Sequence, residues 1–287
     1  MKWGDFSKLV KLRLTILVVF SASISFLIGS RVNGDINWLN WAKLIVGGFL
    51  VTAAANCFNE IIEKDFDRLM RRTADRPIPA GRMTTGQALV LGLSMGICGT
   101  YLLGSLNFIT GYLSVFSILL YAFAYTPLKR KSPVAVFVGA IPGALPPLIG
   151  YVAAHPKIDA IALILFGIQF IWQFPHFWAI AWVLDDDYKL AGFRLLPSGK
   201  RNLTSAIVTF IFTIILVPVS LLPTFYHFGG YYVGAVSLVF SLAFLYLAFT
   251  LLRTLQIKSA KQLMYGSFLY LPVVQLMFLF DFIGKGK

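Results

Sequence analysis

Long apolar runs separated by short polar segments dominate the chain. Each approaches the roughly 20 residues that an α-helix needs to cross the hydrocarbon core of a membrane. Lipid offers the backbone no hydrogen-bond partners, so only helices or closed barrels span it. The pattern therefore predicts an all-α polytopic membrane protein with about nine transmembrane helices, at 14–30, 41–62, 88–106, 109–126, 134–154, 160–183, 204–223, 230–252 and 264–283.

The composition supports this fold class. Of the 287 residues, 58% are hydrophobic and 13% are charged, whereas a soluble domain carries about 25% charged residues. The apolar runs use nearly the whole chain and leave no room for a separate soluble domain. We expect a single integral-membrane domain over residues 1–287, folded as one bundle around a central cavity.

The net charge of +13 is distributed unevenly. If the N-terminus is cytoplasmic, 20 of the 25 Lys and Arg residues fall on the inner side of the membrane. This matches the positive-inside rule, so topology accounts for much of the basic excess without nucleic acid. We expect an external C-terminus and, since no Arg-rich transit segment precedes the first run, a bacterial inner membrane. The outer-side positive residues are Arg31, Lys43, Lys157, Lys285 and Lys287.

Eight of the 12 acidic residues lie at two places on this inner side. Solvated pairing with nearby Lys and Arg would explain them without a function. A metal site is the alternative, because the amide of Asn59 and the carboxylates of Glu63 and Asp67 are spaced to share one helix face. Such oxygens suit Mg²⁺, which also binds substrate phosphates. The eight acids are Glu60, Glu63, Asp65, Asp67, Asp75, Asp185, Asp186 and Asp187.

Basic residues alternate with these acids. Arg binds phosphate through two parallel hydrogen bonds and Lys binds it as a point charge. Anchoring at the cytosolic surface would explain any one of them, but the set predicts a metal–diphosphate site. The candidate phosphate ligands are Lys64, Arg68, Arg72 and Arg76 after the second run, and Lys129 and Lys131 after Tyr125.

Two runs differ in character from the rest. The fifth contains Pro142, Pro146 and Pro147 among several glycines. Prolines disturb helical hydrogen bonding, and lipid tolerates a broken helix only where it is buried or lines a cavity. The run therefore indicates either a cavity for a flat hydrophobic ligand or tight helix packing. The sixth run places Trp172, Phe177 and Trp178 around His176, which indicates packing or a ligand contact.

The segment from Asn59 to Arg68, with the extension from Arg72 to Gly81, resembles the first motif of the UbiA-type intramembrane prenyltransferases, and more narrowly that of the heme o synthase branch. Further blocks agree in order: Tyr125 to Pro133, Gly139 to Tyr151, and Trp172 to Pro197. The resemblance is strong over about residues 8–200, and the last three runs match in hydropathy and length alone. Glu63 departs from the family, which has Asp there, so either Glu63 or Asp65 could be the nearer metal ligand.

The resemblance implies transfer of a farnesyl group from farnesyl diphosphate to a vinyl group of heme b, with addition of water, to make heme o. It also implies Mg²⁺ as cofactor, and a heme a synthase as a possible partner. His176 would orient the heme, and the candidate phosphate ligands, together with Tyr125, would bind the diphosphate. Trp172, Phe177 and Trp178 would line a dry chamber. The implied metal ligands are Asn59, Glu63, Asp67, Asp186 and Asp187.

Two alternatives stay open. A prenyltransferase of the same superfamily that acts on an aromatic acid or quinone precursor would share the diphosphate site and differ in acceptor. A secondary transporter with an anion site on its cytoplasmic side would use broken helices and charges near the midplane. The position of the acids at helix ends and the lack of an internal repeat disfavour the transporter.

Overall fold

The computed structural model describes residues 2–283, which leaves Lys285 and Lys287 outside the described residues. Within that range it is helical, with one isolated antiparallel bridge between Gly229 and Phe282. Helix α5 continues into α6 through a π-helical segment at Leu120–Tyr125. The helices are α1 (Trp3–Leu9), α2 (Leu12–Asn33), α3 (Trp38–Asp67), α4 (Thr85–Gly104), α5 (Phe108–Leu119), α6 (Thr126–Leu128), α7 (Ala135–Ala154), α8 (Ala160–Val183), α9 (Asp185–Leu190), α10 (Leu203–Ser220), α11 (Leu222–Phe225), α12 (Tyr231–Thr254) and α13 (Ile257–Phe280).

Nine membrane-spanning segments are present in the described part of the chain, as the hydropathy pattern predicts. Two boundaries differ from the prediction by more than three residues. Helix α3 continues beyond residue 62 to Asp67, and α13 begins at Ile257 rather than near residue 264. The first turns of α13 include Lys258 and Lys261, both exposed. Long basic side chains can reach water from the end of a spanning helix, so the charges there do not mark a loop.

Helix α7 is continuous although three prolines lie inside it. Pro147 has no N–H to donate to the carbonyl of Gly143. The side-chain amide of Gln169 on α8 donates to that carbonyl instead, at 2.7 Å. A neighbouring helix thus replaces one of the backbone hydrogen bonds that the prolines remove, which is how proline is tolerated in lipid.

One glycine on α7 and one on α2 let these two helices pack closely. A Cβ atom on Gly150 would collide with the carbonyl oxygen of Ala22, and one on Gly29 would lie 2.7 Å from the carbonyl oxygen of Tyr151. Small residues that let backbones approach are a common packing device in membranes. Tight packing, one of the two interpretations of this run, therefore describes α7.

A buried polar network connects three spanning helices. The carbonyl oxygen of the Gln169 side chain accepts hydrogen bonds from Ser21 on α2 at 2.8 Å and from Gln275 on α13 at 3.0 Å. Polar groups in an apolar interior are stable only when they are hydrogen-bonded. The network therefore fastens α2, α8 and α13 to one another.

Candidate active site

Asn59, Glu63 and Asp67 lie on one face at the carboxyl end of α3, with 0%, 4% and 0% of their surfaces exposed. Residues four apart in a helix share a face, so the three side chains lie together as the spacing predicts. We call these three residues the oxygen row. Asp65 points away from it, is exposed, and lies 3.8 Å from Arg68. Glu63, and not Asp65, therefore belongs to the row.

Both carboxylates of the oxygen row are paired with a cation. Lys129 Nζ lies 2.8 Å from Glu63 Oε1, and Arg76 Nη1 lies 2.5 Å from Asp67 Oδ2. Burial lowers the pKa of Lys129, but the facing Glu63 carboxylate outweighs burial and leaves that pKa above its ordinary value. The pKa of Arg76 is also raised, because Asp67 outweighs the opposite effect of burial. Both cations therefore stay charged beside the row.

The third cation is Lys11, at the junction of α1 and α2. Its Nζ lies 2.6 Å from Asn59 Oδ1. Burial, assisted by the positive charges of Arg76 and Lys129, lowers the pKa of Lys11 to about 7. When Lys11 is protonated, these three cations outnumber the two carboxylates of the row. Positive groups placed beside the row suit an anionic ligand.

One carboxylate oxygen of the row is left without a partner. Asp67 Oδ1 is buried and accepts no hydrogen bond, and neither does Oε2 of the neighbouring Glu60. Unmatched buried acceptors are rare and call for an explanation. Over residues 2–283, no three His, Cys, Asp or Glu side chains are grouped as a metal site. A metal bound here would need oxygens from its substrate as well, as is usual for Mg²⁺.

The structure brings one residue of the second acidic cluster to the loop after α3. The carboxylate of Asp187 accepts hydrogen bonds from the backbone N–H of Arg71 at 2.8 Å and from that of Arg72 at 3.4 Å. Asp186 is exposed and pairs with Arg201 at 3.0 Å. Successive side chains of α9 point in different directions. Asp186 and Asp187, both predicted as metal ligands, thus contact different parts of the protein.

A cavity of about 400 Å³ opens beside the oxygen row. The guanidinium of Arg130 lies 4.0 Å from the centre of the Phe66 ring, which is a cation–π contact. Lys131 is exposed at the same cavity. The wall thus combines apolar surface with positive charge, as a site for an isoprenoid diphosphate requires. The lining residues are Ile62, Glu63, Phe66, Thr126, Pro127, Arg130, Lys131 and Phe193.

Three of the predicted phosphate ligands neither line the cavity nor pair with the oxygen row: Lys64, Arg68 and Arg72. Arg68 donates through Nε to the carbonyl of Pro79 at 3.1 Å, which ties down the loop. Arg72 is exposed and Lys64 is half-buried. Tyr125 is closer to the oxygen row, since Lys129 Nζ lies 4.6 Å from the centre of its ring. Tyr125 thus helps to hold the cation that faces Glu63.

The aromatic residues of α8 divide into two groups. Trp178 is 1% exposed and packs edge-on against Phe212, at 5.1 Å between ring centres, so it is part of the helix-packing core and not the wall of a chamber. Trp172 stacks on His176 at 4.5 Å, and Phe177 lies 5.4 Å from the same ring. These two aromatics surround the histidine as the sequence suggests.

Three residues near the row are not among the predicted site residues. Lys11 lies far from the motif in the chain, and Thr126 accepts from the Asn59 side-chain amide at 3.0 Å. Arg130 reaches Phe66 from the loop after α6. Thr126 and Arg130 belong to the block from Tyr125 to Pro133, which could have indicated them, whereas Lys11 lies outside every block.

Comparison with known proteins agrees with this geometry. The model of the UbiA prenyltransferase family matches residues 18–272. A protoheme IX farnesyltransferase of Cytophaga hutchinsonii is 43% identical over 96% of this chain and 96% of that protein. A protoheme IX farnesyltransferase of Christiangramia forsetii is 40% identical over 97% of this chain and 93% of that protein.

Solved structures share the fold. One from a study of digeranylgeranylglyceryl phosphate synthase superposes with a TM-score of 0.80 at 20% identity, over 97% of both chains. A UbiA homologue from Archaeoglobus fulgidus bound to GPP and Mg²⁺ superposes with a TM-score of 0.62 at 11% identity, over 96% of this chain and 99% of that chain. Since the family model matches most of the sequence and the relatives align over nearly their whole length, the chain belongs to the UbiA prenyltransferase family.

Proposed function

We propose that the protein transfers a farnesyl group from farnesyl diphosphate to a vinyl group of heme b, with addition of water, to form heme o. The observation that carries the proposal is the similarity to protoheme IX farnesyltransferases along nearly the entire chain. The oxygen row, its cations and the adjoining cavity support it by supplying positive charge and space for a diphosphate.

The buried acceptor of Asp67 supports a magnesium ion at the oxygen row, because a cation there would satisfy Oδ1. Asn59, Glu63 and Asp67 would hold the metal together with diphosphate oxygens, and Asp187 would contribute from the facing loop. When bound, Mg²⁺ neutralises charge on the leaving diphosphate. A UbiA homologue has been solved with GPP and Mg²⁺, which is consistent with this assignment.

The basic side chains would perform the complementary task. Lys11, Arg76 and Lys129 stand beside the row with their positive ends buried, so they stabilise negative charge more strongly than they would in water. Arg130 and Lys131 add positive charge at the cavity mouth. Together they favour breaking of the allylic C–O bond, in which the bonding electrons leave with the diphosphate.

The allylic carbocation must then meet the vinyl group before water does. The vinyl π electrons attack its terminal carbon and form the new C–C bond, and water captures the resulting cation next to the macrocycle and loses a proton. Phe66 and Phe193 line the cavity and can stabilise the carbocation through their ring faces while excluding water.

The site lies on the cytoplasmic side in the proposed orientation. A cytoplasmic N-terminus puts the carboxyl end of α3 and the whole of α9 on the inner face, together with most Lys and Arg residues. The chain would thus form one domain in a bacterial inner membrane, with its C-terminus outside. This orientation gives the diphosphate site direct access to cytosolic Mg²⁺ and farnesyl diphosphate.

Acceptor-dependent release of diphosphate tests the proposal. The purified protein in lipid nanodiscs is incubated with farnesyl diphosphate and Mg²⁺, with either heme b or 4-hydroxybenzoate as acceptor. We expect diphosphate release with heme b and none with the aromatic acid. Release with 4-hydroxybenzoate alone would favour the quinone-precursor prenyltransferase, and release with neither would favour the transporter.

A further inference from the structure

Within residues 2–283, His176 is the one histidine inside a spanning helix. Its Nδ1 makes a hydrogen bond whose donor can be deduced. Ser267 Oγ lies 2.7 Å from His176 Nδ1 and also donates to the carbonyl of Met264 at 2.6 Å. A hydroxyl has one proton, so Ser267 must accept from the imidazole. Nδ1 therefore carries the hydrogen of the neutral ring, and Nε2 carries a free lone pair.

Nothing in the described part of the chain uses that lone pair. The ring makes its hydrogen bond through Nδ1. Nε2 makes none with the described residues and is not fully enclosed by the protein. His176 retains 9% of its surface exposed. Nε2 is thus an accessible acceptor in apolar surroundings, where a ligand gains most from meeting it.

The orientation of the ring is constrained by aromatic neighbours. Trp172 stacks on it with ring centres 4.5 Å apart and an angle of 18° between the planes. Phe268 on α13 meets its edge at 5.3 Å. His176 therefore has a defined tautomer and a constrained ring, and its Nδ1 is held by an oxygen. These are the features of a histidine that binds a metal through its other nitrogen.

The position of His176 also suits a membrane-soluble metal complex. It lies seven residues before the end of α8 at Val183, which is about 10 Å along the helix axis, and α9 with Asp187 follows directly. The neighbouring Phe268 is 46% exposed on the lipid-facing surface of α13. The partly exposed Phe268 that contacts His176 thus gives a flat apolar ligand a route to the ring from the bilayer.

We propose that His176 Nε2 is an axial ligand of the iron of the heme substrate, and that Ser267 is the residue that positions it. This inference rests on the proposed function, since it assumes that heme is the acceptor. Its consequence is that the protein recognises the iron as well as the macrocycle. Iron-free protoporphyrin IX, which has the same ring and vinyl groups, should then bind more weakly.

Parallel titrations of the full chain in nanodiscs with ferric heme b and with protoporphyrin IX test this. We expect the wild type to bind heme 10- to 100-fold more tightly than the iron-free ring, which is the usual effect of one ligand or its partner on metal affinity. His176→Ala should abolish this preference without weakening protoporphyrin binding. Ser267→Ala should reduce it and change the iron–histidine signature in the resonance Raman spectrum. A ring that merely packs would affect both porphyrins alike.

His227→Asn is the matched control, because His227 lies in the connection between α11 and α12 and its left-handed backbone, with φ at 58°, tolerates asparagine. His176→Gly provides a second check, since free imidazole should restore the heme spectrum. Equal binding of both porphyrins by the wild type, or an unchanged heme preference in His176→Ala, would overturn the inference and leave the proposed function intact. Failure of the wild type to release diphosphate with heme would instead overturn the proposed function.

Discussion

Lys11 Nζ lies 2.6 Å from Asn59 Oδ1, although the two residues belong to different helices. The Lys11 backbone adopts the left-handed conformation, with φ at 48°, between α1 and α2. This unusual conformation for a lysine accompanies a side chain that reaches the first position of the oxygen row. The contact makes Lys11 part of the same charged cluster as Glu63 and Asp67.

Replacement of Lys11 by methionine should therefore impair prenyl transfer. The variant keeps the length of the side chain and removes a buried cation beside the leaving diphosphate. We expect kcat for diphosphate release to fall by about 100-fold, comparable to the loss of one preorganised electrostatic group. Lys2→Met removes an equal charge from an exposed position and should retain full activity.

The same substitution at Asp67 and at nearby Asp65 tests whether the oxygen row binds the metal. Asp67→Asn removes the buried carboxylate that has an unpartnered oxygen and pairs with Arg76. We expect its requirement for Mg²⁺ to rise by about 10- to 100-fold, measured as the concentration that gives half-maximal activity. Asp65→Asn alters an exposed carboxylate and should leave the Mg²⁺ dependence unchanged. The reverse result would place the metal on the other face of α3.

Substitutions in the second acidic cluster should separate the role of Asp187 from that of Asp186. Asp187→Ala removes the hydrogen bonds to the backbone of Arg71 and Arg72, so the loop after α3 should loosen and kcat/KM should fall by at least about tenfold. Asp186→Ala breaks a mainly exposed pair with Arg201, which contributes less than about 1 kcal/mol to stability. We expect it to keep near-normal kcat/KM in the same assay. Equal losses in both variants would contradict this division.

The contact between α2 and α7 gives a prediction about stability. Alanine at Gly150 would force its Cβ into the carbonyl oxygen of Ala22, which is backbone and cannot rotate away. Such overpacking costs about 1–3 kcal/mol, so the melting temperature in detergent should drop. Gly167, also inside a spanning helix, has open space at its Cβ position. Its replacement by alanine should leave the melting temperature unchanged or raise it slightly; a drop as large as that of Gly150→Ala would contradict the packing argument.

Local features of the sequence predict local features of this structure well. The nine spans follow from hydropathy, and the shared face of Asn59, Glu63 and Asp67 follows from helical periodicity. Contacts between distant segments do not follow in this way. Lys11 joins the row only through packing of α1 and α2 against α3, and nothing in its local sequence distinguishes it from other charges near the membrane surface.

The same limit applies to side chains whose direction depends on tertiary structure. Asp186 and Asp187 are adjacent and chemically identical, and only the placement of α9 decides which one reaches the loop after α3. The prolines of α7 disturb an isolated helix, but Gln169 from α8 compensates for a missing backbone hydrogen bond. Sequence alone could not show that this compensation exists.

Mass spectrometry of hemes extracted after the reaction tests the central claim most directly. Nanodiscs that contain the protein are incubated with heme b, farnesyl diphosphate and Mg²⁺ in water enriched in ¹⁸O. We predict a product with one added farnesyl group and one added water that carries the heavy oxygen, formed by the wild type and absent with EDTA or with Asp67→Ala. Unmodified heme b from the wild type, or an undiminished yield from Asp67→Ala, would contradict the account.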